Sequence, residues 1–424
     1  MQATLESPLP ASLPAGRGTA LFCWGRCSAR PAIVVEGVRH RPSAAGMAGG
    51  VYWGIVPVPP RPPGTIEIAL AAGGERQTVG RIEVVEPEPP PPLGRAAPPG
   101  LIAVCMATYE PDLDLLSTQL DSLRAQTDTN WVCVVSDDAS SAPIDVGGDE
   151  RFIVSRSDTR RGFYGNFERA LRLAPAEAEL IALCDQDDRW HADKLATLRA
   201  ALEGGATMAY SDQRLVDAGG RVLRATMWEG RRNNHTDIAS LLVANSITGA
   251  ATLMRRDVAD LALPFPQPPG LHFHDHWLGL VALAAGDVAY VDRPLYDYVQ
   301  HEKAVFGDVT RTAKRTRRRW LRGGRGAYFL GYAGRAVQAQ TLLARTTPAP
   351  DKRRALERYL AAERSPAAFA WLGLHALTHR RETLASELEL LRGIAWRHAR
   401  PPDVTIPEPL AFEQRRLRRW RARI

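Results

Sequence analysis

The sequence has few cysteines, almost no lysine and no long hydrophobic run. Its five cysteines are scattered over 424 residues, so a disulfide framework is excluded and we expect reduced thiols. No apolar run approaches the ~18 to 20 residues that span a bilayer, which argues against an integral membrane protein. The first residues show neither the basic region nor the apolar region of a secretory signal, so the expected location is the cytoplasm.

Charge is distributed unevenly along the chain. Residues 301–424 contain 27 Lys and Arg against 11 Asp and Glu, a net charge of +16, and since the whole chain carries +7, the remainder carries −9. This distribution suggests an anionic partner such as lipid headgroups or nucleic acid, although solvated basic helices commonly explain such clusters. Only four of the 54 basic residues are lysine, which fits a coding bias and weakens the argument that each arginine has a function.

The hydrophobic pattern divides the chain into four parts. Residues 1–86 contain short β-type runs between turns rich in Gly and Pro, which predicts a small β-domain, in form a sandwich. Residues 87–100 are proline-rich and predict a stiff linker. Residues 101–308 alternate apolar runs with helix-period stretches, which predicts an α/β domain with a mainly parallel, Rossmann-like sheet. Residues 309–424 predict a basic helical region.

Polar residues end three of the expected parallel strands, at the edge where α/β sheets bind ligands. They are Thr108, Tyr109, Glu110, Asp137, Asp138, Asp185, Gln186, Asp187 and Asp188. Three carboxylates in four positions after the third strand repel one another, and a hard divalent cation bridging a diphosphate would compensate that repulsion. A solvated acidic turn before a helix that begins near Ala192 is the alternative.

A glycine-containing loop, RRGFYGNFERAL, follows a further strand. Gly162 and Gly165 allow close backbone approach, Arg161 can bind phosphate, and Asn166 can cap the next helix. A plain loop-to-helix turn is the alternative, because this pattern alone is weak evidence. Asp138 could accept hydrogen bonds from a base imide or a ribose hydroxyl, or act as a plain cap.

The series ATYEP, VVSDDAS, RRGFYGNFE, CDQDDRW, TGAATLMRR, HFHDHW and YVQHEKAVFG, in this order, resembles the family 2 glycosyltransferases of GT-A fold, particularly a bacterial rhamnosyltransferase-like group. The resemblance covers about Leu101 to Gly307. It implies an inverting transfer of a sugar, rhamnose being one candidate, from a dTDP- or UDP-linked donor to a glycan or lipid-linked acceptor in cell-surface polysaccharide synthesis.

The resemblance also assigns roles to residues. It makes Asp185 to Asp187 the DxD element that, with His301, would hold Mg²⁺ or Mn²⁺, and it makes Asp275 the catalytic base. The donor pocket would contain Thr108, Tyr109, Glu110, Asp137, Asp138, Arg161, Gly162, Asn166, Asp185 and Gln186. The acceptor or sugar pocket would contain Trp190, Thr248, Gly249, His274, His276, Trp277 and Gln300. Glu302 and Lys303 depart from the family pattern.

Several alternatives stay open. His272, His274 and His276 would share one face of a strand and could bind zinc, but the resemblance favours a loop or helix start here, where they would position the acceptor or pack near Asp275. Trp24 and Trp53 could be sugar platforms or core residues. A sugar nucleotidyltransferase and a noncatalytic carbohydrate-binding or scaffold protein are the competing functions.

Two arginine-rich segments, RTAKRTRRRWLRGGR and RRLRRWRARI, interleave basic and apolar side chains. This pattern suggests peripheral contact with an anionic membrane, at the inner face of the cell membrane. Helices that pack their apolar stripe on the catalytic domain are the alternative. Nucleic acid is not an expected partner, because no recognised nucleic-acid fold accompanies the charge.

Overall fold

The computed structural model describes residues 1–40, 44–45, 50–228, 233–269, 272–301, 324–379 and 385–399. The N-terminal strands are β1 (Ala3–Leu5), β2 (Ser12–Pro14), β3 (Thr19–Cys27), β4 (Ala32–Val35), β5 (Val38–His40), β6 (Ala44–Ala45), β7 (Val51–Val58), β8 (Gly64–Ala72) and β9 (Glu75–Val85). They form two sheets, in the orders β1-β3-β7-β6 and β2-β9-β8-β4-β5. Alternate residues of both sheets, among them Cys23, Tyr52, Ile68 and Ile82, bury one shared core, so the unit is a β-sandwich.

The central unit is built on one mixed sheet. Its strands are β10 (Ile102–Thr108), β11 (Trp131–Asp137), β12 (Phe152–Arg156), β13 (Leu180–Asp185), β14 (Arg189–Trp190), β15 (Met208–Asp217), β16 (Val222–Arg224), β17 (Thr252–Arg255) and β18 (Val288–Gln300). The order is β12-β11-β10-β13-β17-β15-β18-β14, with β16 on β15. Strands β12, β11, β10 and β13 are mutually parallel. Strand β17 runs antiparallel to its neighbours β13 and β15, and β18 is parallel to β15. The predicted α/β fold with a mainly parallel, GT-A-type sheet is confirmed.

Helices cover this sheet and continue beyond it. They are α1 (Leu113–Arg124), α2 (Gly162–Arg172), α3 (Lys194–Leu202), α4 (Ile238–Val243), α5 (Arg256–Ala262), α6 (His274–Ala285), α7 (Gly324–Ala327), α8 (Gly334–Arg345), α9 (Pro350–Ala361), α10 (Pro366–Thr378) and α11 (Ala385–His398), with a π-helical turn, Tyr328–Ala333, before α8. The start of α1 shows the local rule, because the Asp112 carboxylate accepts from the N–H groups of Asp114 and Leu115.

Strand register brings the predicted polar residues to one edge of the sheet. Thr108 lies beside Asp137, and Ala107 lies beside Asp185, so the carboxyl ends of β10, β11 and β13 meet at the same level. The strand interiors are apolar and fully buried, as parallel strands covered on both faces require. The sheet core therefore fixes where these side chains emerge.

The β-sandwich packs on α8. The Ala20 N–H donates to Thr341 Oγ1 at 3.1 Å, and the Trp53 and Tyr328 rings meet edge to face with centroids 5.3 Å apart. Trp53 is 1% exposed, so it is a core residue and cannot serve as a sugar platform. Trp24 is half-buried.

Arg345 bridges three parts of the chain. Its Nε donates to Gly18 O at 2.6 Å, and its Nη1 donates to Ala262 O at 2.9 Å and to Pro264 O at 2.7 Å. Burial lowers the pKa of this guanidinium to about 10. One side chain of α8 thus ties the β-sandwich to the central unit.

Residues 311–323 and 415–424, which carry nearly all of the two arginine-rich segments, lie outside the described residues. No helix in the described ranges is long and apolar enough to cross a membrane. All five cysteines are buried and free, as predicted.

Candidate active site

Four carboxylates gather beyond the end of β13. Asp185 is the last residue of β13, Asp187 and Asp188 lie in the turn between β13 and β14, and Asp275 lies in the first turn of α6. Asp188 is 1% exposed; its Oδ1 accepts from the Val299 N–H at 3.3 Å, while its Oδ2 has no hydrogen-bond partner. We name Asp185, Asp187, Asp188 and Asp275 the acidic cluster.

Burial and mutual repulsion disfavour the ionised form of these carboxyls. Burial, followed by the charges of Asp187 and Asp275, raises the pKa of Asp185 to about 7. Burial, followed by Asp187 and Asp185, raises the pKa of Asp188 well above its usual value. Burial also raises the pKa of Asp275 to about 7, against the backbone N–H donors of His276 and Gly249. A cation among them would relieve this cost.

The acidic cluster has the chemistry of a Mg²⁺ or Mn²⁺ site. Its donors are carboxylate oxygens, which hard cations prefer, and the buried Asp188 Oδ2 is an acceptor with nothing to accept from. No three of its side chains have ligand atoms within 4.8 Å of one another. Within the described ranges, Asp237, His375 and His379 meet that distance. The donor types of the acidic cluster therefore fit the cation.

Asp187 contacts the histidine that the family resemblance assigns to the metal. His301 Nε2 and Asp187 Oδ2 are 2.8 Å apart, at the end of β18. Gln300 is the last residue of β18 and pairs with Asp217 of β15. The structure thus brings His301 to the acidic cluster through Asp187.

Lys194, which the sequence analysis missed, is a fully buried residue that lies near the cluster. Its Nζ donates to Ala250 O and lies 3.1 Å from the centroid of the Trp190 ring. Burial lowers its pKa to about 7, while the charges of Cys184, Asp188 and Asp185 raise it. A signal was present in the sequence, since lysine is rare in this chain and Lys194 follows the acidic run closely.

Trp190 and Trp277 are both buried. Trp277 is 0% exposed, and its Nε1 donates to Ala262 O at 2.9 Å, so this indole belongs to the core rather than to an acceptor pocket. Trp190 lies against Lys194, and its Nε1 has no hydrogen-bond partner. Its place in an acceptor pocket stays a prediction.

The sequence predicted that Asn166 caps a helix, but in the structure it does not. Helix α2 begins four residues earlier, at Gly162, whose φ is +74°. The Asn166 amide instead donates to Thr108 O at 3.1 Å and to Ser136 O at 2.9 Å, and its Oδ1 accepts from Ser136 Oγ. It therefore holds the ends of β10 and β11 together.

Asp138 fixes the start of α2. Its two carboxylate oxygens accept from the N–H groups of Arg161 at 2.6 Å and Gly162 at 2.7 Å. This arrangement resembles a cap supplied from another strand and places the exposed Arg161 side chain beside the strand ends. Asp137 is buried and accepts from Thr108 Oγ1 at 3.3 Å.

Tyr109 and Glu110 are held by neighbouring loops. The Gln186 amide pairs with the Tyr109 backbone, with Tyr109 N to Gln186 Oε1 at 2.8 Å and Gln186 Nε2 to Tyr109 O at 3.2 Å. The Arg160 guanidinium lies over the Tyr109 ring at 3.8 Å. Glu110 has a φ of +41°, and its carboxylate accepts from Ser141 N–H and Oγ. The Gln186 side chain therefore links the end of β10 to the turn that carries Asp187 and Asp188.

The helix start at α6 places its histidines apart from one another. His274 is buried and stacks on Phe167 with centroids 3.7 Å apart, His276 Nε2 contacts Leu241 O at 2.8 Å, and His272 packs on Tyr164. Burial lowers the pKa of His274 to about 3 and that of His276 to about 4. The three histidines therefore have separate partners, and the zinc alternative for them fails.

Gly249 permits the close approach of α6. A Cβ on Gly249 would lie 2.7 Å from His274 Nε2 and 3.4 Å from the Asp275 Cβ. Thr248, which precedes it, is half-buried. The segment therefore packs directly against the residue expected to act as base.

A second group of charged side chains, centred on Asp297, lies next to the turn that carries Asp187 and Asp188. Asp297 of β18 is 0% exposed and accepts from Arg189 Nε at 3.0 Å, Arg214 Nε at 2.6 Å and His191 Nε2 at 3.2 Å. Burial would raise the pKa of Asp297, but these hydrogen bonds outweigh it and lower the pKa to about 2. We name this group the Asp297 hub.

Residues 103–261 match the sequence model described as Glycosyl transferase family 2. This part of the chain is thus similar to the family 2 glycosyl transferases. The matched range runs from β10 to α5 and includes the strand-end residues, Asp185 to Asp188, Thr248 and Gly249. Asp275 and His301 lie beyond the matched range.

No curated protein matches the chain. The crystal structure of S. aureus TarS is similar over 69% of this chain and 54% of that one, at 16% identity and a TM-score of 0.39. This chain thus spans about half the length of that protein.

Proposed function

We propose that the protein is a metal-dependent, inverting glycosyltransferase that moves a sugar from a nucleotide-diphosphate donor to a hydroxyl of a glycan or lipid-linked acceptor. The observation that carries the proposal is the acidic cluster, placed by strand register at the carboxyl edge of a family 2 domain. An unpartnered carboxylate oxygen and raised carboxyl pKa values support a role in binding a cation.

The proposed reaction is a single displacement. The acceptor oxygen attacks the anomeric carbon and forms the new C–O bond. The bond from that carbon to the donor phosphate oxygen breaks, and its electron pair leaves with the nucleoside diphosphate. Asp275 takes the acceptor proton, as its half-buried place at the start of α6 allows. Attack opposite the leaving group inverts the anomeric configuration.

Charge on the departing diphosphate needs a counterion. Mg²⁺ or Mn²⁺, held by Asp185, Asp187 and Asp188, would supply it and remove the need for a covalent enzyme intermediate. His301, through its contact with Asp187, would orient that ligand. Arg161, exposed at the start of α2, is placed to meet phosphate oxygens.

The donor pocket would lie along the ends of β10 and β11. The Tyr109 ring, covered by Arg160, offers a flat surface for a base, and Asp137, Asp138 and Thr108 define its floor. We propose a dTDP- or UDP-linked sugar, with rhamnose as the first candidate on the family resemblance. Gln300, Thr248 and Gly249 would face the sugar side.

The arginine-rich segments outside the described residues remain the basis for proposed contact with the inner face of the cell membrane. Co-sedimentation with anionic vesicles should be lost when Arg415, Arg416, Arg418 and Arg419 are replaced by alanine. Equal recovery with neutral vesicles would contradict the contact.

The test of the function is hydrolysis of a panel of nucleotide sugars with Mn²⁺ and with EDTA. We expect Asp187→Asn to abolish turnover and to lose the Mn²⁺-dependent rise in melting temperature given by the correct donor, about 2.7 kcal/mol of stabilisation at 100 times its Kd. Asp193→Asn is the matched control, because Asp193 lies in the same loop but pairs with Arg293. Full, Mn²⁺-dependent activity in Asp187→Asn would overturn the metal site.

A further inference from the structure

We propose that Asp237, His375 and His379 form a zinc site that is separate from the acidic cluster. Asp237 precedes α4, His375 lies in the last turn of α10, and His379 directly follows that helix. Their ligand atoms all lie within 4.8 Å of one another. We name them the interhelix triad.

The three side chains of the triad are in direct contact with one another. His375 and His379 are four residues apart at the end of α10, and their rings stack with centroids 3.9 Å apart and planes 19° apart. Asp237 Oδ1 is 3.0 Å from His375 Nε2. Two ligands bound about 2 Å from one tetrahedral ion lie about 3.3 Å apart. The Asp–His hydrogen bond has a length close to this value, so zinc could replace the shared proton with little movement of either side chain.

The donor types select the metal. Two imidazoles and one carboxylate suit Zn²⁺ and similar borderline ions, whereas Mg²⁺ prefers oxygen ligands alone. Asp237 Oδ1 accepts from both the Ser240 N–H and His375, so neither contact requires Oδ2. Water would complete four-fold coordination.

Solvent can deliver the ion to this place. The side chain of Asp237 is 35% exposed and that of His375 is 11% exposed, while His379 is exposed. An ion can therefore reach the three side chains from the His379 side.

The site would join two parts of the chain. Helix α10 belongs to the C-terminal helices, whereas α4 contacts α6 through Leu241 O and His276. Helix α6 carries Asp275. Zinc bound by the triad would therefore fasten the C-terminal helices to the element that supports the proposed base, and its main effect would be on stability.

The test uses the full chain, stripped with EDTA and then dialysed against limiting Zn²⁺ in excess Mg²⁺, with bound zinc measured per chain. We expect one zinc in the wild type and a rise in melting temperature that Mg²⁺ alone does not give. His379→Gln changes an exposed side chain and should weaken zinc binding by more than the about 10- to 100-fold cost of losing an outer hydrogen-bond partner.

Two controls make the result specific. His40→Gln, in β5, should keep the zinc, and so should Asp187→Asn, which alters only the acidic cluster. Co²⁺ in place of Zn²⁺ should give visible absorption in the wild type that His375→Gln and His379→Gln lose. Zinc bound equally by wild type and His379→Gln, or no zinc retained by the wild type, would overturn the site, whatever the outcome for transfer activity.

Discussion

Replacing Asp297 with asparagine should destabilise the protein and loosen the acidic turn. Asp297 is 0% exposed and holds Arg189, which directly follows Asp188, together with Arg214 and His191. Asparagine keeps the shape but removes the charge, so the two guanidinium groups lose their common counterion. Removing one partner of a buried ion pair costs more than the pair contributes, because the remaining charges stay partly desolvated.

The magnitude follows from the pKa of Asp297. Its shift from 3.8 to about 2 corresponds to roughly 2.5 kcal/mol in favour of the folded, ionised state. Arg189 and Arg214 are 45% and 34% exposed, and solvent screening reduces this to about 1 to 2 kcal/mol. At about 2 to 4 °C per kcal/mol for a domain of this size, the melting temperature should fall by about 2 to 8 °C.

The sign with pH is fixed by the lowered pKa of Asp297. The contribution is fully present above the unfolded value of 3.8 and is lost as pH falls through about 2. Urea unfolding should therefore show a difference between wild type and Asp297→Asn that is full at pH 7 and about halved at pH 3.

The matched control is Asp287→Asn, since Asp287 is 92% exposed and pairs with Lys352. It should change stability by less than about 0.5 kcal/mol. The reasoning is refuted if Asp297→Asn is as stable as Asp287→Asn at pH 7, or if its deficit is unchanged at pH 3.

Two further predictions concern the base and the bridge between units. Asp275→Asn should leave donor affinity within a few fold but lower transfer by roughly 10² to 10⁴, measured as kcat with saturating donor; near wild-type transfer would show that another group takes the proton. Because the pKa of Asp275 is raised to about 7, wild-type transfer should fall about tenfold per pH unit below that value. Arg345→Met removes the guanidinium that donates to the carbonyls of Gly18 and Pro264, while Ala262 O keeps the Trp277 indole, and it should cost about 2 to 4 kcal/mol in urea unfolding. Transfer should stay intact under native conditions, and unchanged stability would show that these contacts contribute nothing.

Local pattern in the sequence determined the elements that depend on near neighbours. Apolar runs predicted β10, β11 and β13, and helical period predicted the helix from Leu113 to Ala125. Carboxyl ends of parallel strands share an edge, so the sequence also predicted that Thr108, Asp137 and Asp185 would meet. These inferences need only strand polarity and hydrogen-bond geometry within a few residues.

Tertiary structure decided which polar side chains are shared between distant segments. Asn166 looked like a cap but binds the backbone of β10 and β11, and Trp277 looked like a pocket residue but fills the core. The Asp297 hub joins residues more than 80 positions apart, and Lys194 is buried beneath the acidic cluster.

The sequence predicts which side of a helix or strand is buried, but it does not predict which distant residue a buried polar side chain contacts. Periodicity shows which face of an element is apolar, but the partner of a buried charge depends on register and on how helices cross the sheet. Burial raises the pKa of Asp185, whereas hydrogen bonds from Arg214, Arg189 and His191 outweigh burial at Asp297 and lower its pKa, and both outcomes are properties of the packed chain. Two aspartates that look alike in the sequence, Asp185 and Asp297, therefore have pKa values shifted in opposite directions.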